Sequence, residues 1–169
     1  YSSAASDVYK RQEVIRKNFS EKAGSNYAAS RGEFLNGKIM AAYLGFEFID
    51  AAEVVRFDEN GDFQSEITNG IMSARLEKAK NAVIPGFYGA TEEGRVVTFS
   101  RGGSDITGSL VARAVNADLY ENWTDVSGFL IADPRIVKGS KSIETITYKE
   151  LRELSYMGAS DLHEDAIFP

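Results

Sequence analysis

Cysteine is absent from the 169 residues, and histidine occurs once, at His163. The sequence therefore excludes thiol catalysis, iron–sulfur clusters, and zinc centres built from cysteine or from several histidines. Long apolar runs are missing as well, because the longest stretches are a handful of residues whereas a membrane-spanning helix needs about 18. We therefore expect no transmembrane segment and no membrane partner, and a cytoplasmic location is the default.

Basic residues are outnumbered, since 19 lysines and arginines stand against 25 aspartates and glutamates and leave a net charge of -6. Proteins that bind nucleic acid gain much of their affinity by neutralising phosphates, so this balance argues against a nucleic-acid partner. With 43% apolar and 26% charged residues, the composition is that of a soluble globular domain. It excludes the collagen-like, disulfide-rich and disordered classes.

The first residues resemble something foreign to a protein fold. Residues 2–12, SSAASDVYKRQ, are similar to the translation of a transposon-end adaptor used in sequencing libraries. We expect residues 1–12 to be an adaptor-derived head, and the alternative is an ordinary disordered N-terminus. On the first interpretation residues 13–169 are a fragment of one domain, and residues 13–20 are the tail of a helix.

Two Ser/Thr-x-x-Glu capping boxes predict helix starts. The first, at Ser30 and Glu33, opens a helix that ends at Gly45, and the second lies at Thr147 and Glu150. Apolar residues at helical spacing predict two more helices, over residues 71–80 and from Asp105 to Asn116.

Short extended segments separate these helices. They are predicted at residues 46–49, 82–86, 95–99 and 118–122. An Asn-Gly turn at residues 60–61 adds a hairpin between strands 54–57 and 63–67. Alternating strands and helices indicate an α/β fold, here an incomplete three-layer αβα sandwich with a mainly parallel sheet and an added β-hairpin.

Polar residues follow two of the predicted strands, at the sheet edge where such folds bind ligands. After strand 95–99, two glycines allow close approach of the backbone, and Ser104 and Asp105 open a helix whose free amides favour an anion. Arg101 adds a forked cation suited to a carboxylate or a phosphate. A plain connection with a Ser or Asp N-cap explains the same residues equally well.

The loop after strand 118–122 carries a second polar group. Thr124, Asp125 and Arg135 present a hydroxyl, a carboxylate and a guanidinium within a dozen residues. Arg135 could pair with a phosphate, and a solvated surface arginine is the commoner alternative. Trp123 is interpreted as a core residue rather than a base-stacking platform.

Five ordered blocks resemble the aspartate kinases of the amino-acid kinase family. The blocks are SRGE at residues 30–33, VIPGF at 83–87, FSRGGSDITG at 99–108, DLYENWTDV at 118–126 and ADPRIV at 132–137. Members transfer the γ-phosphoryl group of ATP to the β-carboxylate of L-aspartate, the first step toward lysine, threonine and methionine. The resemblance implies ATP as cofactor, Mg²⁺ on its phosphates without a dedicated protein cage, and a homo-oligomeric parent enzyme.

The resemblance also implies a role for each matching side chain. Arg101 would grip the α-carboxylate of aspartate, and Glu33 and Asp105 would hold its ammonium group. Ser104 and Phe87 would complete the pocket, and Arg101 and Asp105 are the candidate catalytic residues. The positions that match nucleotide contacts are Thr124, Asp125, Leu130, Arg135 and Ser160.

Several features depart from the family pattern. Leu130 stands where Tyr is frequent, Ser160 where many members have Lys, and Asp161 where an apolar residue is usual. The family's N-terminal Lys-Phe-Gly-Gly segment, with its phosphate-binding lysine, and its C-terminal ACT regulatory domains have no counterpart here. We therefore expect the isolated chain to be inactive and prone to aggregate through exposed apolar edges.

Two other functions stay open. One is another family member that acts on glutamate, acetylglutamate, carbamate or UMP, although SRGGSD together with NWTDV favours aspartate. The other is a non-catalytic amino-acid or nucleotide sensor that keeps the pocket without the transfer machinery.

Overall fold

The computed structural model describes residues 2–21, 23–100, 102–123, 128, 130–132, 136–147, 149–151 and 153, with the backbone alone at residues 2–8. The helices are α1 (Ser2–Ser20), α2 (Ser25–Leu44), α3 (Ala51–Val54), α4 (Ser65–Leu76) and α5 (Gly103–Ala114). The strands are β1 (Glu47–Phe48), β2 (Ala82–Val83), β3 (Tyr88–Ala90) and β4 (Val96–Thr98). Over these ranges, no helix combines the length and the hydropathy that crossing a bilayer requires.

The strands form two small sheets. β1 and β2 pair in parallel, whereas β3 and β4 pair antiparallel. Residues 55–57 flank β3 on its other side, because the Ala90 amide donates to the Val55 carbonyl at 3.0 Å and the Ala90 carbonyl accepts from the Phe57 amide at 3.1 Å. The bridge between Arg56 and Ala90 is parallel as well, so the described strands show the predicted α/β class, with two parallel pairings and one antiparallel pair, β3 with β4.

Three of the predicted strands are confirmed. The segments at residues 46–49, 82–86 and 95–99 correspond to β1, β2 and β4, each two or three residues shorter. The strand predicted at residues 118–122 is wrong, because this segment has no strand pairing and contacts α5 instead. β3 was not predicted, since its glycine interrupts the apolar pattern that marks a strand.

Helix α2 ends where the sequence predicts and begins earlier. Gly45 adopts the left-handed conformation with φ of 69°, and its amide donates to the Ala41 carbonyl. The predicted start is wrong, because α2 begins at Ser25 and Ser30 lies inside it, its hydroxyl donating to the Tyr27 carbonyl at 2.8 Å. Glu33 is therefore a mid-helix residue whose carboxylate is not used as a cap.

The predicted hairpin is confirmed only as a turn. Gly61 has φ of 92°, and the chain reverses so that Phe57 and Phe63 form an antiparallel bridge. The outer residues of the predicted strands are helical, because Val54 ends α3 and α4 begins at Ser65, whereas residues 55–57 are extended alongside β3. Helix α4 thus starts six residues before the predicted segment 71–80 and ends four residues before its end.

The head is helical rather than disordered. Residues 2–20 form α1 without interruption, and α1 packs on α2 through Phe19, whose ring lies edge-on to that of Tyr27 with centroids 6.2 Å apart. The Asn18 amide also donates to the Tyr27 hydroxyl at 2.8 Å. The adaptor origin of residues 2–12 stays a prediction.

In the part of the chain that the structure describes, an apolar core joins α2, α4 and α5 to both sheets. It contains residues from α2, α4, α5 and β3 and from the segment between β1 and residue 57. Its fully buried large side chains include Ile49, Val54, Met72, Tyr88 and Leu110. Burial of each such side chain contributes about 1.5–3 kcal/mol, so this cluster is the main source of stability.

The second capping box is confirmed. The Thr147 amide donates to the Glu150 carboxylate at 2.9 Å, and the Glu150 amide donates to the Thr147 hydroxyl at 3.3 Å. Donation from the Thr147 hydroxyl and then from its amide lowers the pKa of Glu150 below its usual value.

Candidate functional site

One cavity of about 660 Å³ lies among α2, β2, α5 and the chain after α5. Most of its lining is apolar, and the polar groups come from separate parts of the sequence. Glu33 reaches it from α2, Lys80 from the residues before β2, and Ser104 and Thr107 from α5. Mostly apolar cavities with a few polar groups are the usual form of small-molecule sites.

The connection between β2 and β3 packs tightly against the start of α5. A methyl group on Gly86 would lie 3.1 Å from Ser104 Cα and Oγ. One residue further, the Phe87 amide donates to the Thr107 hydroxyl at 3.1 Å, which itself donates to the Gly103 carbonyl at 2.8 Å. Phe87 and Ser104, which the family resemblance assigns to one pocket, therefore lie on segments that contact each other.

Phe87 adopts a backbone conformation that is unusual for its residue type. Its φ is 62°, in the left-handed region that aromatic side chains rarely occupy. Such strain costs about 1–3 kcal/mol and persists where surrounding contacts impose it, which occurs most often at functional sites. Here the contacts are the Thr107 hydroxyl and the Phe99 amide, which donates to the Phe87 carbonyl at 2.9 Å.

Two carboxylates lie at or beside the cavity. Glu33 is exposed to it, and its side chain makes no hydrogen bond or ion pair with any residue that the structure describes. Asp105, in the first turn of α5, accepts a hydrogen bond from the Asn122 amide at 3.1 Å. Tyr120 also lines the cavity. Burial, and then the charge of nearby Asp105, raise the pKa of Tyr120.

The start of α5 excludes the plain N-cap interpretation. The N-cap residue is Gly102, in the left-handed conformation with φ of 61° and with no side-chain cap hydrogen bond. Ser104 and Asp105 therefore lie within the helix, and neither hydroxyl nor carboxylate is used to cap it. Both side chains are left for other contacts.

The predicted site residues divide into three groups. The first group lies at the cavity: Glu33 and Ser104 line it, and Phe87 and Asp105 are next to residues that line it. Leu130 forms a bridge with Ser142 and does not line the cavity. The predicted residues that lie outside the described ranges are Arg101, Thr124, Asp125, Arg135 and Ser160.

One cluster beside the site was missed by the sequence reasoning. The guanidinium of Arg31 is buried, with its centre 4.5 Å from the ring centroids of both Tyr27 and Phe34 and 5.5 Å from that of Tyr88. The Tyr88 hydroxyl donates to the Asp50 carboxylate at 2.7 Å. The SRGE block contains Arg31, but nothing in the sequence marks this arginine as buried, since arginine is mostly exposed.

We expect the Tyr88 hydroxyl to make stability sensitive to alkaline pH. Burial, followed by the Asp50 charge and hydrogen bond, raises the pKa of Tyr88, while Arg31 lowers it to a smaller extent. An unfolded tyrosine ionises near pH 10, so the stabilisation is fully present below about pH 10 and falls as the pH rises above it, by about 1.4 kcal/mol per unit.

Urea unfolding at pH 9 to 11 measures this effect. Wild type should lose stability more steeply above about pH 10 than Tyr88→Phe, whereas Tyr43→Phe, which changes an exposed ring, should follow wild type. Equal slopes for wild type and Tyr88→Phe would contradict the prediction.

Metal binding by protein side chains alone finds no support in the part of the chain that the structure describes. There, no three aspartate, glutamate or histidine side chains come together at a spacing that would hold a metal ion. Any divalent cation at this site would need its ligands from phosphate oxygens, water or other residues.

A family model identifies the class of protein. The amino acid kinase family model matches residues 2–169, and the chain belongs to that family.

The relatives within that family are aspartokinases. Aspartokinase 3 of Bacillus subtilis is 40% identical over 150 residues, which are 82% of this chain and 32% of that protein. Aspartokinase of Rickettsia prowazekii is 35% identical over 156 residues, which are 88% of this chain and 35% of that protein.

Solved structures of aspartate kinases are also similar to this chain. Aspartate kinase of Clostridium acetobutylicum superposes with a TM-score of 0.86 at 59% identity, covering 96% of this chain and 37% of that one. Aspartokinase III of E. coli, in complex with aspartate and ADP, superposes with a TM-score of 0.81 at 26% identity, covering 96% and 41%. The chain therefore spans 32% to 41% of the length of these proteins.

Proposed function

We propose that this chain is part of the catalytic domain of an ATP-dependent aspartate kinase and that its cavity holds L-aspartate. The observation that carries the proposal is the meeting of Glu33 and Ser104, 71 residues apart, in one cavity. The E. coli relative that superposes on this chain was solved with aspartate and ADP. Phe87, with its strained backbone, lies against the same part of α5.

The charges suit a small zwitterion. Glu33 has no partner among the described residues, and we assign it, with Asp105, to the substrate ammonium group. Arg101 binds the α-carboxylate, for which a planar guanidinium is the best-matched side chain. The Ser104 hydroxyl donates a hydrogen bond to the substrate, and Phe87 closes the apolar side of the pocket. The β-carboxylate is then the group left to react.

The reaction is a phosphoryl transfer that depends on positioning and charge stabilisation. An oxygen of the substrate β-carboxylate attacks the γ-phosphorus of ATP, the bond from that phosphorus to the β,γ-bridging oxygen breaks, and ADP leaves. The product is the acyl phosphate 4-phospho-L-aspartate. The residues we assign to the nucleotide side are Thr124, Asp125, Leu130, Arg135 and Ser160.

Mg²⁺ bound to the ATP phosphates would neutralise the negative charge that develops during phosphoryl transfer. We assign the complete enzyme to the cytoplasm, as a homo-oligomer that contributes to lysine, threonine and methionine synthesis.

Calorimetric titration with L-aspartate tests the proposal. We expect Glu33→Gln to weaken binding by about tenfold or more, because the ammonium loses a charged hydrogen-bond acceptor worth about 1.5–3 kcal/mol. Glu92→Gln removes the same charge from an exposed turn outside the cavity and should leave binding within about twofold of wild type. N-acetyl-L-aspartate, which lacks the ammonium, should not compete. Equal affinities for wild type and Glu33→Gln would refute the assignment.

A further inference from the structure

The chain after α5 runs back along that helix in a fixed register. Asn116, with φ of 49°, reverses the chain direction, and the Ala117 amide then donates to the Ala112 carbonyl at 2.9 Å. Further on, Tyr120 meets Gly108 and Asn122 meets Asp105. The contacted positions on α5, 112, 108 and 105, are four and three residues apart and so lie on one face of the helix.

The middle contact depends on glycine. A methyl group on Gly108 would lie 2.2 Å from the Tyr120 hydroxyl oxygen and 2.8 Å from Cζ of the same ring. The ring therefore occupies space that any other residue at position 108 would fill. Residues 117–123 form no helix or strand, and this contact is one of the three that hold them against α5.

The last contact reaches a residue of the proposed pocket. The Asn122 side-chain amide donates to Asp105 Oδ1 at 3.1 Å, which leaves Oδ2 for a ligand. A hydrogen bond to one carboxylate oxygen restricts rotation of the carboxylate about its side-chain bonds. Asn122 is followed, two and three residues later, by Thr124 and Asp125, which we have assigned to the nucleotide.

We propose that Asn122 is a positioning residue that orients the Asp105 carboxylate toward the substrate ammonium, and that Tyr120 seated on Gly108 holds Asn122 in place. The proposal deepens the proposed function and rests on it where ligand affinity is concerned. The orientation of Asp105 itself can be measured without any ligand.

Leucine and glutamine at position 122 provide the test. Asn122→Leu keeps the size of the side chain and removes the hydrogen-bond donor, so the affinity for L-aspartate should fall about fivefold. Asn122→Gln keeps a side-chain amide and should recover part of the lost affinity. Asn60→Leu, at an exposed turn away from the cavity, is the matched control and should be unchanged. In an Asp105→Asn background, Asn122→Leu should have little further effect, because the two residues act as a unit.

Two readouts separate this proposal from a purely structural role. Three-bond carbon couplings should show one Asp105 side-chain rotamer in wild type and averaging in Asn122→Leu, with no change in melting temperature. Gly108→Ala, which displaces Tyr120, should reproduce both the averaging and the loss of affinity, and Gly32→Ala, with open space around it, should not.

The outcomes are distinct. If the wild-type chain binds no L-aspartate, the proposed function fails, and the rotamer measurement still decides the role of Asn122. An unchanged Asp105 rotamer in Asn122→Leu, or an affinity loss that persists in full with Asp105→Asn, overturns the proposal.

Discussion

Replacing Gly89 with alanine is expected to cost about 3 kcal/mol or more of unfolding free energy, the largest effect of any single methyl group in the described chain. Gly89 is the middle residue of β3, between β4 and residues 55–57. A Cβ at this position would lie 2.4 Å from the Val55 carbonyl oxygen and 2.7 Å from Val55 Cβ and Cγ1. The carbonyl cannot move away freely, because it accepts from the Ala90 amide at 3.0 Å.

Urea unfolding followed by circular dichroism measures this cost. Gly70→Ala is the matched control, because Gly70 lies inside α4 with no atom within 4 Å of the added methyl group. Alanine should stabilise α4 there by about 0.5–1 kcal/mol. Since domains of this size are stable by only about 5–15 kcal/mol, Gly89→Ala should be strongly destabilised or unfolded. A Gly89→Ala midpoint equal to that of wild type would contradict the geometry.

The parts of the fold that could be predicted from sequence are those set by local chemistry. The Gly45 helix end, the turn at residues 60–61 and the Thr147 capping box each depend on residues within one turn of chain, and all three are confirmed. The predicted helix start at Ser30 failed, because the surrounding helix outweighed the local capping signal. The capping box at Ser30 is satisfied in a different way, because the helix already runs through it from Ser25.

Contacts between distant segments could not be predicted from the sequence. Nothing local distinguishes residues 118–122 as a segment bound to α5 from an edge strand, since both are partly apolar. The docking depends on Gly108, which has no side chain and therefore leaves no hydrophobic pattern to read. Strand β3 was missed for the same reason. Position 89 must be glycine because Val55, more than thirty residues earlier in the chain, packs against it.

The candidate site was predictable in part for the same reason. Glu33, Ser104 and Asp105 were singled out by residue type and by family resemblance, and the cavity brings the first two together. Arg31 and Asn122 were not, because their importance comes only from what they touch. A buried guanidinium against Tyr88 and an amide against Asp105 are properties of the folded chain.

Gly103→Ala should damage the fold and the site together. A Cβ at this first residue of α5 would lie 2.7 Å from Phe87 Cβ, 2.8 Å from Phe87 Cα and 2.8 Å from Phe99 Cβ. Phe87 already has φ of 62°, so its backbone has little freedom to move aside, and the start of α5 must shift instead.

That shift has a stability cost and a binding cost. Moving α5 lengthens the hydrogen bond from the Phe87 amide to Thr107, now 3.1 Å, and separates Ser104 from Gly86. We expect a loss of about 2–3 kcal/mol in unfolding free energy and at least about tenfold in L-aspartate affinity. Thermal melts and calorimetry well below the melting temperature measure the two effects, with Gly32→Ala, where nothing lies within 4 Å, as the control. If Gly103→Ala loses stability but binds L-aspartate as tightly as wild type, the contact between residues 87 and 103 holds the fold alone, and the pocket lies elsewhere.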